Sequence, residues 1–137
     1  MKTVLQCMFL SIVLLQFSCN KEDDDLNSKY LKGMWVHTDT KADTIDFSNR
    51  MFMSEKTFEV KRGKEIRNGY EFSKAGSGIY TYTIKGDSIY LRDLASSYGG
   101  FFPYYFRIDL DRKSFDIGSF APFTEGSVIN KFRKIEK

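Results

Sequence analysis

Alternation of apolar and polar residues constrains this chain more than any other feature. In "FPYYFRIDLD", Phe102, Tyr104, Phe106, Ile108 and Leu110 fall on one side, and Tyr105, Arg107, Asp109 and Asp111 on the other. A two-residue period belongs to a strand with one dry and one wet face, because successive side chains point to opposite sides of the pleat. The pattern recurs along the body: Ile45 with Phe47, Phe58 with Val60, Tyr70 with Phe72, Tyr80 with Tyr82 and Ile84, and Ile89 with Leu91. Between these runs lie short turn sequences, "IKGDSI", "DLDRKSF" and the Asn68-Gly69 pair, of the kind that closes hairpins. Sustained helical spacing is absent from the body, apart from one helical turn expected at "LNSKYLKG" with Gly33 as its stop. The expectation is an all-β domain of about 8–10 short antiparallel strands, either an up-and-down barrel or a sandwich.

The N-terminal segment is of another kind. Lys2, an apolar run from Val4 to Leu15 and the small residue Ser18 have the layout of a secretory leader. The run is shorter than the ~20 apolar residues of a membrane-spanning helix. Four consecutive acids, Glu22 to Asp25, follow. The chain therefore divides into a leader at 1–18, an acidic tether at 19–28 and a folded body at 29–137. Both cysteines, Cys7 and Cys19, fall at or before the junction, so disulfides, thiolate metal sites and cysteine nucleophiles are excluded from the body. Without Lys2, Lys21 and the four acids, 19 basic residues face 14 acidic ones. That mild excess, scattered among acids, does not make the dense basic face of a nucleic-acid binder.

A basic start, a short apolar core and a small residue directly before a cysteine resemble a bacterial lipoprotein signal. The resemblance implies that Cys19 is acylated and becomes the first residue of the mature chain. Gln16 stands where a lipobox usually carries Leu, with Leu15 one place earlier and Phe17 in the usual small-residue position. "CNKEDDD" in turn resembles the acidic export signal of surface lipoproteins of the Bacteroidota, a group with often degenerate lipoboxes. Together they imply an outer-membrane protein, lipid-anchored and facing the cell exterior. The alternative is a polar linker after an ordinary signal peptide. Acyl chains contribute about 0.8 kcal/mol per buried CH₂, and mutual repulsion keeps a run of acids extended.

"LKGMWVHT" at 31–38 resembles the Gly-x-Trp opening of lipocalin-like barrels, with Gly33 and Trp35 as its motif residues. "VINKFRKIEK" resembles the final strand of small secreted lipocalin-like lipoproteins. The resemblance implies an up-and-down lipocalin-like β-barrel with a Trp plugging one end and a basic residue from the last strand packed over it, Arg133 or Lys131. Val128, Ile129, Phe132 and Ile135 fall on opposite parities, so a bulge is expected in that strand.

Catalytic chemistry finds little support. His37 is the single histidine, read either as a polar group orienting a ligand or as a structural strand histidine, and no Gly-x-Ser-x-Gly turn is present. Asp109, Asp111 and Asp116 imitate a calcium loop, yet Ser114 occupies the place of its glycine and Phe120 that of its final acid. No catalytic residue, metal or cofactor is assigned. Lys61, Arg62, Lys64 and Arg67 form either a solvated turn or an anion-binding patch.

Aromatic content is the remaining clue: after removal of Phe9 and Phe17, 20 aromatic residues remain. A barrel of about eight strands has an interior that side chains just fill, or that holds one small ligand. Two functions follow. The first is binding of a small apolar or aromatic molecule in the mouth, with His37, Tyr80, Tyr82, Tyr104 and Phe106 as candidate contacts. The alternative is a filled barrel acting as a protein-interaction or inhibitor module through Tyr98 and Phe101 of the 96–101 loop.

Overall fold

The computed structural model describes residues 28–47, 51–52 and 55–136, the backbone alone at 51–52. The leader at 1–18, Cys19 and the acids Glu22 to Asp25 lie outside the described residues. Among the described residues, no helix is long and apolar enough to cross a membrane.

Among the described residues, a helical turn over 28–31 precedes eleven strands. These are β1 (Met34–His37), β2 (Thr44–Asp46), β3 (Met51–Phe52), β4 (Glu55–Lys61), β5 (Lys64–Arg67), β6 (Tyr70–Ser73), β7 (Gly78–Lys85), β8 (Ser88–Asp93), β9 (Phe102–Ile108), β10 (Ser114–Gly118) and β11 (Ile129–Lys134). Every pairing is antiparallel. Strands β1, β2, β4, β7, β8, β9, β10 and β11 pair in that order, and β11 returns to β1, so the sheet closes into an eight-stranded up-and-down barrel. Closure removes the exposed edges that a sandwich would leave. Among the described residues, β3 pairs with the start of β4 alone. β5 and β6 form a separate hairpin beyond the end of β4, turning at Asn68-Gly69 with both φ angles positive, 52° and 80°.

The alternation fills the interior. Ile45, Phe47, Phe58, Val60, Tyr82, Ile84, Ile89, Leu91, Phe106, Phe115, Ile117 and Phe132 are buried on inward positions. Their rings interlock: Phe47 packs on Phe58 at 4.9 Å, and Phe115 stacks on Phe132 at 5.3 Å between centroids. A barrel of this strand number leaves no wider lumen once such rings point inward.

The end carrying the helical turn is closed by Trp35, fully buried, whose indole N–H donates to the Leu31 carbonyl at 2.7 Å. Lys134, opposite Trp35 in the β1–β11 register, lies over the indole with Nζ 5.2 Å from the ring centroid and donates to the Tyr30 carbonyl at 3.1 Å. Two carbonyls at the end of the helical turn, which no further helical N–H reaches, are thereby satisfied by the strands they cap. Gly33, at φ 117°, makes the bend from turn to strand that a side chain would resist. The basic residue over Trp35 is therefore Lys134; Arg133 points to solvent, and Lys131 pairs with Asp109 at 2.8 Å.

Two further expectations change. β11 needs no bulge, because its inward set is Asn130, Phe132 and Lys134, while Val128, Ile129 and Ile135 are exposed. A polar Asn130 on the dry face hid the parity. Tyr70 and Phe72 do share a face, but it is exposed, since β5–β6 stands apart from the barrel and its alternation has no core to meet.

Candidate functional site

The opposite end, the mouth, is formed by the loops after β1, β4, β8 and β10. Its floor is a plug that sequence reading missed. The segment 119–124, "SFAPFT", turns inward, with Ala121 and Phe123 buried and Phe120 half-buried. Phe123 is held between the His37 ring, stacked at 5.7 Å, and the Arg62 guanidinium, 5.2 Å from its centroid. Gly76 allows the plug to seat: a Cβ there would lie 2.5 Å from the Ala121 Cβ, and its φ is +81°. The signal in the sequence was a loop too apolar for a solvated connection, with two phenylalanines three residues apart around Pro122.

His37 sits beneath this plug, fully buried and with both ring nitrogens occupied. The Thr40 backbone N–H donates to Nδ1 at 3.2 Å, so the ring proton is on Nε2, which donates to Asn130 Oδ1 at 3.2 Å. Both nitrogens are thus taken up within the fold. Arg62 is also drawn inward, its Nε 3.4 Å from Asp43 Oδ1 with both side chains nearly inaccessible, while Nη1 donates to the Ala75 carbonyl at 2.6 Å. Lys61, Lys64 and Arg67 pair with Glu59, Glu71 and Glu65, so the basic turn presents no unpaired cation to an anion.

Above the plug, a pocket of about 180 Å³ opens between the ends of β7, β8 and β9 and the 94–101 loop. Tyr80, Tyr98, Phe102, Tyr104 and Phe120 form its aromatic walls, and Asp93 is its one ionisable carboxylate. The strand register explains the grouping: Tyr80 stands opposite Asp93 across β7–β8, and Leu91 opposite Phe102 across β8–β9. Asp93 continues the inward series Ile89, Leu91, and the same alternation that identified the first two also pointed to it. Tyr98 stacks on Phe102 at 5.3 Å, and Phe120 meets Tyr80 edge-on at 5.2 Å and Tyr104 at 6.0 Å. The Tyr80 hydroxyl donates to the Gly76 carbonyl at 3.2 Å. Burial and then the Asp93 carboxylate push its pKa from 10.0 up to about 12, against a smaller opposing pull from Arg62.

Of the five candidate ligand contacts, Tyr80 and Tyr104 line this pocket, whereas His37, Tyr82 and Phe106 are packed in the core below. Tyr98 joins the pocket too, although it was assigned to partner contacts. Phe101 parts from it and lies on the outer wall under the Arg92 guanidinium, 4.9 Å from the ring centroid. Two roomier hollows, one beside Lys113, Arg133 and Glu136 and one between β4 and the β5–β6 hairpin, are open and lined largely by charged or small residues. They lack converging rings.

Asp109 and Asp116 are tied on the outer wall to Arg107 and Lys131, and among the described residues no group of three His, Cys, Asp or Glu side chains is arranged to hold a metal ion. The lysine and Ser114 hold the Asp109 carboxyl below its usual range. Compared with models of protein families, with curated proteins and with solved structures, the chain matches none.

Proposed function

We propose that this protein is a lipid-anchored surface lipoprotein that binds a small apolar or aromatic molecule at the mouth of its barrel. One observation carries the reading: a small aromatic-walled pocket at the end of the barrel opposite the helical turn from which the tether departs. An acylated Cys19 would hold the closed end towards the membrane and leave the mouth free, on a tether reaching at most about 30 Å. The filled interior confines recognition to the mouth. A volume of 180 Å³ equals that of about six waters at ~30 Å³ each, so the ligand is small.

Two measurements test this. Cys19→Ser should release the protein from membranes, and continued sedimentation with them would remove the lipid anchor. The full chain should take up indole, and Tyr98→Ser with Phe102→Ser, both at exposed positions, should weaken uptake about tenfold. A folded protein that binds no small aromatic compound contradicts the mouth as a ligand site.

A second reading, a protein-interaction or inhibitor module, draws on the β5–β6 hairpin, where Ile66, Tyr70 and Phe72 are 69%, 72% and 49% exposed. In that reading Tyr98 and Phe101 capture a protein partner. Unchanged capture after both are replaced by serine would sink it.

A further inference from the structure

The pocket's one carboxylate bears on what the ligand is. Asp93 Oδ1 accepts the Ala95 N–H at 2.8 Å, which fixes the carboxylate at the end of β8. No ion pair engages it among the described residues: Arg62 is committed to Asp43, and Arg92, next in sequence, points outward to Glu55. The rest of the lining is Leu91, Gly100, Ser96, whose hydroxyl oxygen accepts the Tyr98 N–H at 3.1 Å, and the rings of Tyr80, Tyr98, Phe102, Tyr104 and Phe120. An aromatic face carries negative potential and attracts a cation, and a carboxylate without a counter-ion does so more strongly. The Tyr80 phenol, ordinarily titrating at 10.0 and pushed higher by burial and then Asp93, is neutral at pH 7 and adds no second negative charge.

We infer that the mouth pocket selects a small amine cation, a primary or quaternary ammonium on a compact apolar or aromatic body, with Asp93 as counter-ion and the surrounding rings as its cage. This rests on the mouth being a ligand site and narrows the chemistry of what enters it. A neutral aromatic molecule gains the ring contacts alone and leaves the carboxylate unpaired. An anion meets Asp93 and is repelled. The ~180 Å³ volume accommodates a body of roughly the size of benzylamine or tetramethylammonium.

The test compares benzylammonium chloride, tetramethylammonium chloride and the neutral benzyl alcohol, titrated calorimetrically into the full-length protein at pH 7 and into its Asp93→Asn variant. Asn keeps an oxygen to accept the Ala95 N–H, and the emission of the buried Trp35 reports that the variant is folded. The expected result is that the cations bind the native protein about tenfold or more tightly than benzyl alcohol, and that Asp93→Asn abolishes the difference while changing the alcohol less than about twofold. Equal binding of alcohol and amines, unaffected by Asp93→Asn, overturns the amine inference but leaves the mouth as a site for neutral aromatics. Binding of none of the three overturns both.

Discussion

Lys134 lies over the indole of Trp35 with its Nζ 5.2 Å from the ring centroid, and the two residues face each other across β1 and β11. Each also satisfies a carbonyl of the helical turn, so one pair ties together the first strand, the last strand and the segment that enters the barrel. Lys134→Ala should lower unfolding stability by about 1–2 kcal/mol and shift Trp35 emission to the red. Lys134→Met, which keeps the stem, should lose less. Arg133→Ala, at an exposed position, should be near neutral in the same denaturant titration. A larger cost at Arg133 than at Lys134 would contradict the assignment.

The plug at the mouth is a packed element. Phe123→Ala removes a ring held between His37 and Arg62 and should cost about 3–4 kcal/mol. Gly76→Ala should cost about 1–3 kcal/mol, because the added methyl meets Ala121 and the backbone φ is +81°. Thermal unfolding of the two variants measures this, and a neutral Gly76→Ala would mean that the 119–124 segment does not seat as described.

These elements show what was legible in the chain. Strand alternation names the inward set in β7 and β8 and, within β9, for Tyr104, Phe106 and Ile108; Phe102 at the start of β9 is half-exposed, and Leu110, past its end in the turn to β10, is fully exposed, because the pattern runs on where the strand has stopped. Trp35 with Gly33 marks the closed end. Polar inward positions are harder to name: His37 and Asp93 keep the parity of Trp35 and Leu91, whereas Asn130 hid the parity of β11, and what each of the three touches depends on a partner or a pocket that a two-residue period does not encode. Alternation fails for the plug, whose phenylalanines are inward without belonging to a strand, and for β5–β6, which alternates without a core. Alternation alone leaves closure open between barrel and sandwich, because closure depends on β11 meeting β1 across the length of the body; the resemblance at Gly33 and Trp35 points to the barrel, and the sheet closes as one.

Tyr80 gives the mouth a pH signature. Its phenol titrates near 12 when folded, raised by burial and Asp93, against 10.0 when unfolded. Between those values the unfolded chain has released the proton and the folded one retains it, so unfolding releases a proton and stability falls as pH rises. The group's contribution is fully present below pH 10 and is lost by about 2–3 kcal/mol towards pH 12. Denaturant titrations across that window should show the decline in the native protein and a shallower one in Tyr80→Phe. Equal slopes would contradict the folded-state shift.

The β5–β6 hairpin pairs with no barrel strand, and its apolar side chains are exposed. Replacing residues 64–73 with a two-residue turn, with Arg62, Gly63 and Lys74 to Gly76 retained, should change stability by less than about 1 kcal/mol. Loss of the cooperative transition would show that the hairpin supports the barrel.

Backbone amide shifts followed by NMR as indole is added to the full-length protein test the central claim most directly. The account predicts perturbations at Tyr80, Leu91, Asp93, Tyr98, Gly100 and Phe120 around the mouth, with Trp35, Ile45 and Phe132 in the filled interior unmoved. Shifts centred on those interior residues, or no shifts in a folded protein, would contradict it.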